Sequence, residues 1–167
     1  VGLHLITCRA KDEAGKVGMD QIAIRVEEAP NQAPVAAIQS PANGASFQAG
    51  QAIQFQGSGT DAEDGNLTGG ALVWTSDRDG QIGTGTAFSS NSLSENTHVI
   101  TLTATDGEGV SGTASVTITV NAVTVTGLAV TPETATIQTG ESKQFTCTAT
   151  YSDGSTQDVT ADADWSN

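Results

Sequence analysis

An internal repeat restricts the fold of this chain more than any other feature. Written above His98–Val120 without a gap, His4–Val26 is identical at nine of 23 positions: His4/His98, Ile6/Ile100, Thr7/Thr101, Ala10/Ala104, Asp12/Asp106, Gly15/Gly109, Gly18/Gly112, Ile24/Ile118 and Val26/Val120. Both copies read as strand, Asp-containing turn, strand. In the second strands Ile22, Ile24, Val26 and Val116, Ile118, Val120 fall on alternate positions, which places them on one face of a sheet. A two-stranded hairpin alone is marginal in water. The first copy is therefore expected to be the last hairpin of a module whose earlier strands precede Val1, and an opening residue other than Met gives the same expectation.

The rest of the chain is written in the same style. Short runs rich in Thr, Val and Ile alternate with Gly, Asp, Asn and Ser, and no segment holds a 3.6-residue apolar period, so helix should be nearly absent. The runs are 3–10, 21–26, 52–57, 72–76, 98–105, 114–120, 124–131 and 142–151. Pro30 and Pro34, with a polar spacer between them, cannot sit in a central strand. The expected organisation is a truncated hairpin over 1–29, a linker over 30–35, a complete sandwich over 36–121, and the first half of another over 122–167. About seven strand-length runs in the complete module suit a two-sheet immunoglobulin-type sandwich. The fold class is all-β, as tandem antiparallel immunoglobulin-like β-sandwiches, one complete and two truncated. Ile53, Phe55, Trp74, Ile100, Leu102, Val116 and Ile118 should be inside, with Trp74 central.

In that fold class an intersheet disulfide bridges the second and the penultimate strands. Cys8 lies in a penultimate strand and Cys147 in a second strand, but of different modules. Each could pair with a cysteine outside this chain, or both could be small buried residues with free thiols. Pairing within one chain would require the outer modules to meet across the middle one and is not expected.

Charge excludes some partners. Six Lys plus Arg stand against nineteen Asp plus Glu, a formal charge of -13. No basic cluster is available to displace counterions from a nucleic acid, and no apolar run is long enough to span a membrane as a helix. No nucleophile–base pair, carboxylate pair or nitrogen/sulfur metal set stands out, so no catalytic residue is assigned and no enzyme is expected. His4 and His98 share a repeat position, which reads as structural or solvent-facing.

Acidic residues are the best functional signal. Residues 34–121 carry eight acids, with Arg78 alone to balance them. Five of the eight, Asp61, Glu63, Asp64, Asp106 and Glu108, fall in two loops that should emerge at one end of the sandwich, where the linker with Asn31 also arrives. Crowded carboxylates repel unless a cation neutralises them, and calcium takes six to eight oxygen ligands. The expected site is Asp61, Asp64 and Asp106, with Asn31 and Glu63 as further ligands. Asp77 and Asp79 read as turn residues, because Asp bonds its own backbone in turns.

Two resemblances sharpen this. The ordered set Asn31-Gln32-Ala33-Pro34, Ser40-Pro41-Ala42-Asn43-Gly44, Asp61-Ala62-Glu63-Asp64-Gly65, Trp74-Thr75-Ser76-Asp77-Arg78-Asp79-Gly80 and Ala104-Thr105-Asp106 resembles the polycystic kidney disease repeat and related immunoglobulin-like modules of bacterial and archaeal surface proteins. It covers residues 31–121. That family's Trp-Asp-Phe-Gly-Asp-Gly signature is replaced here by Trp74-Thr75-Ser76-Asp77-Arg78-Asp79-Gly80. From residue 122, Val130-Thr131-Pro132, Thr139-Gly140-Glu141, Phe145-Thr146-Cys147-Thr148-Ala149 and Tyr151-Ser152-Asp153-Gly154-Ser155 are similar to the opening half of a bacterial Ig-like group 2 domain. The resemblance implies a calcium-binding, extracellular or cell-surface stalk. Its partners would be neighbouring modules of the same chain and a glycan or protein on a surface. An accessory carbohydrate-binding module of a secreted hydrolase, or a subunit of a surface layer, filament or phage structure, are the competing readings.

Overall fold

The structure, a computed structural model, describes residues 1–166. It is almost entirely β, with several antiparallel sheets and one 3-10 turn, Gly69–Ala71, among the described residues. The chain divides into two compact units, Val1–Gln32 and the remainder from Ala33.

The first unit is a hairpin of β1 (Gly2–Lys11) and β2 (Val17–Val26). Its register pairs His4 with Ile24 and Ala10 with Gly18. Nearly every side chain is exposed, including Leu3, Ile6, Met19 and Ile22.

The second unit contains a complete sandwich. One sheet has the order β4 (Ala45–Gln48), β11 (Ser111–Asn121), β10 (Asn96–Thr105), β7 (Leu72–Ser76), β8 (Gly80–Thr84). The facing sheet joins β3 (Val35–Ser40), β5 (Ile53–Asp61) and β6 (Gly65–Leu67), with β9 (Ala87–Ser90) also on β5. Alternate burial along β5 and β10 fills the space between the sheets, as one-sided burial of a pleated strand requires. Phe55, Leu72, Trp74, Ile100, Leu102 and Ile118 are fully buried. Phe55 stacks on Phe88 at 4.8 Å and meets Trp74 edge-on at 5.7 Å. Val116, expected inside, is half-buried and packs against the rim of this core.

The repeat is visible as geometry. In the β10–β11 hairpin His98 pairs with Ile118 and Ala104 with Gly112, the same register as in β1–β2. The two differ in surroundings, since β10–β11 has sheet neighbours on both sides and a facing layer.

Several expectations need correction. The linker assigned to 30–35 ends one residue early, because Val35 already pairs with Thr60. The module holds nine strands, not seven, since β4, β6, β8 and β9 are only three to five residues long and too short to show a period. Antiparallel pairing has one exception: β4 runs parallel to β11. The final run at 142–151 begins pairing only at Thr146.

A separate three-stranded sheet follows, β12 (Val125–Thr131), β13 (Thr146–Tyr151) and β14 (Thr156–Asp158). Cys147 is buried and Cys8 exposed, both as free thiols, so the reading of two buried cysteines holds for Cys147 alone. Among the described residues no helix is long and apolar enough to cross a membrane.

Candidate functional site

The acidic loops do meet. β5 and β10 end at the same edge of the sandwich, and the Gly107 N–H donates to Asp64 Oδ2 at 2.6 Å, tying the two loops together. Asp61 Oδ1 accepts from the backbone N–H of Glu63 (2.9 Å) and of Asp64 (2.8 Å). Asp106 Oδ1 accepts from Glu108 N (3.0 Å) and Val110 N (2.8 Å). Asp12 repeats the last arrangement in the first unit, accepting from Lys16 N at 2.8 Å, as the sequence repeat implies. Asp61 and Asp106 are buried, whereas Glu63 and Asp64 are exposed.

Asp61 and Asp106 therefore organise their own turns, and Asp64 ties one loop to the other. Among the described residues no group of three or more His, Cys, Asp or Glu is gathered to hold a metal. In these loops Asp61 Oδ2 is buried and has no hydrogen-bond partner, a state shared among the described residues with Gln48 Oε1, which ordinarily costs about 1–3 kcal/mol. Of the five expected ligands, Asp61, Asp64 and Asp106 lie in the joined loops. Glu63 sits beside them in the β5–β6 turn. Asn31 is exposed and belongs to the first unit.

Asp77 and Asp79 act in turns as expected, but with distant partners. Asp77 Oδ1 accepts from Val99 N at 2.8 Å. Asp79 accepts from the N–H and hydroxyl of Ser94 at 3.0 and 2.7 Å. Burial pushes the Asp79 carboxyl up, yet the two Ser94 bonds, His98 and Arg78 outweigh it and hold the group below its ordinary range.

This cluster surrounds His98, whose buried environment the sequence did not reveal. His98 Nε2 lies 2.6 Å from the Ser94 carbonyl; a carbonyl only accepts, so that nitrogen carries the hydrogen. Nδ1 is 2.9 Å from Ser76 Oγ and 3.7 Å from Asp79 Oδ2. Serine, histidine and aspartate are thus neighbours, but serine and aspartate share one ring nitrogen. The Ser76 oxygen is buried and also accepts from Arg78 N and Asp79 N at 3.2 and 3.3 Å. The set closes the β7–β8 turn onto β10. A signal was present in sequence, a His followed by alternating apolar residues, but its partners lie 4 to 22 residues away.

The seam between β4 and β11 was also missed. Beyond the parallel ladder Ala45–Ile118 to Gln48–Asn121, Gly44 N donates to Thr117 O (2.7 Å) and Ala49 N to Asn121 O (2.8 Å). Thr117 N donates to Asn43 Oδ1 (2.8 Å) and Asn121 Nδ2 to Phe47 O (3.3 Å). Asn43-Gly44 before a short alternating run was the only local cue.

No family model matches the chain. Over 68 residues it is 40% identical to Ice-binding protein 1 of Shewanella frigidimarina (strain NCIMB 400). That match covers 41% of this chain and 8% of that protein.

Proposed function

We infer that the chain is a non-catalytic extracellular spacer, or adhesion stalk segment, of a multidomain bacterial or archaeal surface protein. The observation that carries the reading is the parallel β4–β11 seam. β4 lies near the start of the complete sandwich and β11 at its end. Parallel strands pulled from opposite ends slide along each other, so their hydrogen bonds are loaded together in shear; antiparallel strands joined at a turn would open one bond at a time. An array of sandwiches with such seams resists extension. The repeated hairpin supports the array, and the -13 charge suits an exposed, soluble surface.

Calcium is the proposed stiffener of the loop end, held by Asp61, Asp64 and Asp106 with Glu63 as a further ligand. Asp61 Oδ2 supports it, as a buried oxygen in need of a partner. The ion would supply charge neutralisation and draw together the carboxylates of the two loops. Binding to the folded form alone stabilises by about 2.7 kcal/mol at a hundredfold excess over Kd. The midpoint of thermal unfolding should therefore rise in calcium relative to chelator, and Asp106→Ala should abolish the rise. An unchanged midpoint for the native chain removes calcium from the account.

A second reading has one specific observation in its favour. Thr97, Thr101, Thr103 and Thr105 pair across the outer face of β10–β11 with Thr119, Ser115, Thr113 and Ser111, a hydroxyl ladder interrupted by Val99–Thr117, and the partly matching protein is named for ice binding. Three of these pairs, however, spend their hydroxyls on each other at 2.8 to 3.4 Å, which stabilises the sheet. Thermal hysteresis of the purified chain would favour ice binding over the stalk. The carbohydrate-binding alternative has less support, because Phe55 and Trp74 are buried and Phe88 stacks inside against them.

A further inference from the structure

Asn43-Gly44 is the one Asn-Gly pair in the sequence, and it heads the β4–β11 seam. It forms the turn that Ala45 N closes onto Ala42 O at 3.1 Å, with Gly44 at φ +82°. A turn of this kind needs glycine at its second central position. The same glycine leaves its neighbour open to attack. With no Cβ at 44, the Gly44 nitrogen can approach the side-chain carbonyl carbon of Asn43 unhindered. Both residues are exposed, and a Cβ added at Gly44 would meet nothing within 4 Å, so packing does not shield the pair.

Hydrogen bonding does. Both reacting groups are held by a single residue of β11: Gly44 N donates to Thr117 O (2.7 Å), and Asn43 Oδ1 accepts from Thr117 N (2.8 Å). The pair thus continues the parallel ladder beyond Ala45–Ile118, with a side-chain carbonyl in place of a backbone one. Ring closure requires the Gly44 nitrogen to lose its hydrogen and the Asn43 carboxamide to turn back over its own backbone. Each move breaks one of the two bonds. Thr117 is itself fixed, since it stays in register with Val99 of β10.

We propose that Asn43-Gly44 is a latent self-modification site, silent while β4 is paired with β11 and reactive when the seam opens, so that opening is written irreversibly into the chain. Once released, the Gly44 nitrogen gives up its hydrogen and bonds Asn43 Cγ, and the side-chain nitrogen leaves as ammonia. Water then opens the cyclic imide at either carbonyl. One product has aspartate at 43; the other has isoaspartate, in which the backbone runs through Cβ and Cγ. The balance is amide plus water to carboxylate plus ammonium, with no oxidant or cofactor. Aspartate can again accept from Thr117 N. Isoaspartate lengthens the backbone by one carbon, which moves Gly44 N out of register with Thr117 O, so that product leaves the head of the seam open. The inference rests on the seam geometry and is independent of the stalk reading, because the change can be read in unloaded protein.

The test is incubation of the full chain in mildly alkaline buffer, with and without denaturant, followed by peptide mass spectrometry that separates aspartate from isoaspartate. Asn91-Ser92, exposed between β9 and β10, serves as the internal reference. Relative to Asn91, conversion at Asn43 should be at least about tenfold slower in the native chain than in denaturant, since only the open fraction reacts. Asn121→Ala removes the bond to Phe47 O at the other end of the seam and touches neither Asn43 nor Thr117. It should raise native-state conversion at Asn43 about two- to twelvefold, the factor by which losing one hydrogen bond increases the open population, and leave Asn91 unchanged. After a pulse of denaturant and refolding, molecules with isoaspartate at 43 should exchange the amides of 45–49 faster than molecules with aspartate there. Equal conversion at Asn43 in native and denatured chains, no acceleration by Asn121→Ala, or identical exchange in the two products would each overturn the proposal.

Discussion

Gly57 and Gly112 show how a missing methyl group sets the packing of this molecule. A Cβ at Gly57 would collide with Leu102 and Trp74, and one at Gly112 would run into the Pro34 carbonyl oxygen; its repeat partner Gly18 has open space around it. The core is tight because Trp74 packs on Gly57 and Phe88 on Gly83. Replacing Trp74 by Ala should cost about 3–5 kcal/mol, read as a lower midpoint in denaturant with no change of slope. Asp79 makes a second prediction at this scale. Its folded pKa is lowered, so its contribution to stability is present above the unfolded value near pH 4 and is lost as pH falls through the lower folded value. The native chain should lose stability below about pH 4, and Asp79→Asn should lose less over the same window; equal acid sensitivity would show that the Ser94 and His98 contacts do not bind the carboxylate.

At the scale of elements, the two hairpins of the repeat separate what sequence carries from what surroundings add. Aligning His4 with His98 implies one geometry for both, since a one-residue slip in either would turn its apolar face outward, and the two hairpins share their register. It could not give their stability. Hydrogen exchange should find the slowest amides in 35–121 and rapid exchange throughout 1–26, since β1–β2 exposes its backbone and side chains and opens with little loss of burial. Uniform protection in a monomer would contradict this. Elements that sequence did not yield have physical reasons as well. β4 is four residues long, and it is held by a partner that follows it by more than 70 positions, so no local period marks it. The acidic loops could be read as neighbours, because β5 and β10 are long and alternate clearly. The orientation of their oxygens could not be, since Asp61 and Asp106 take backbone N–H groups of their own turns while Asp64 takes one from the opposite loop. Asp79 was correctly seen as a turn residue, while Ser94, Ser76 and His98 reach it only through the fold.

In the whole molecule, the second and the last strands of the sandwich, β4 and β11, form one parallel seam. Stretching the chain from its termini should peel β3 from β5 and then load that seam in shear, and the rest of the sandwich should open only after the seam breaks. Asn43 and Asn121 each place one side-chain hydrogen bond across it, each worth about 0.5–1.5 kcal/mol. The most direct measurement is single-molecule extension of the full chain from both ends. One abrupt rupture should release about 280 Å of contour from residues 45–121, at roughly 3.6 Å per residue, with a lower rupture force in the Asn43→Ala/Asn121→Ala variant. Gradual lengthening without a rupture, or a rupture force indifferent to both substitutions, would contradict it.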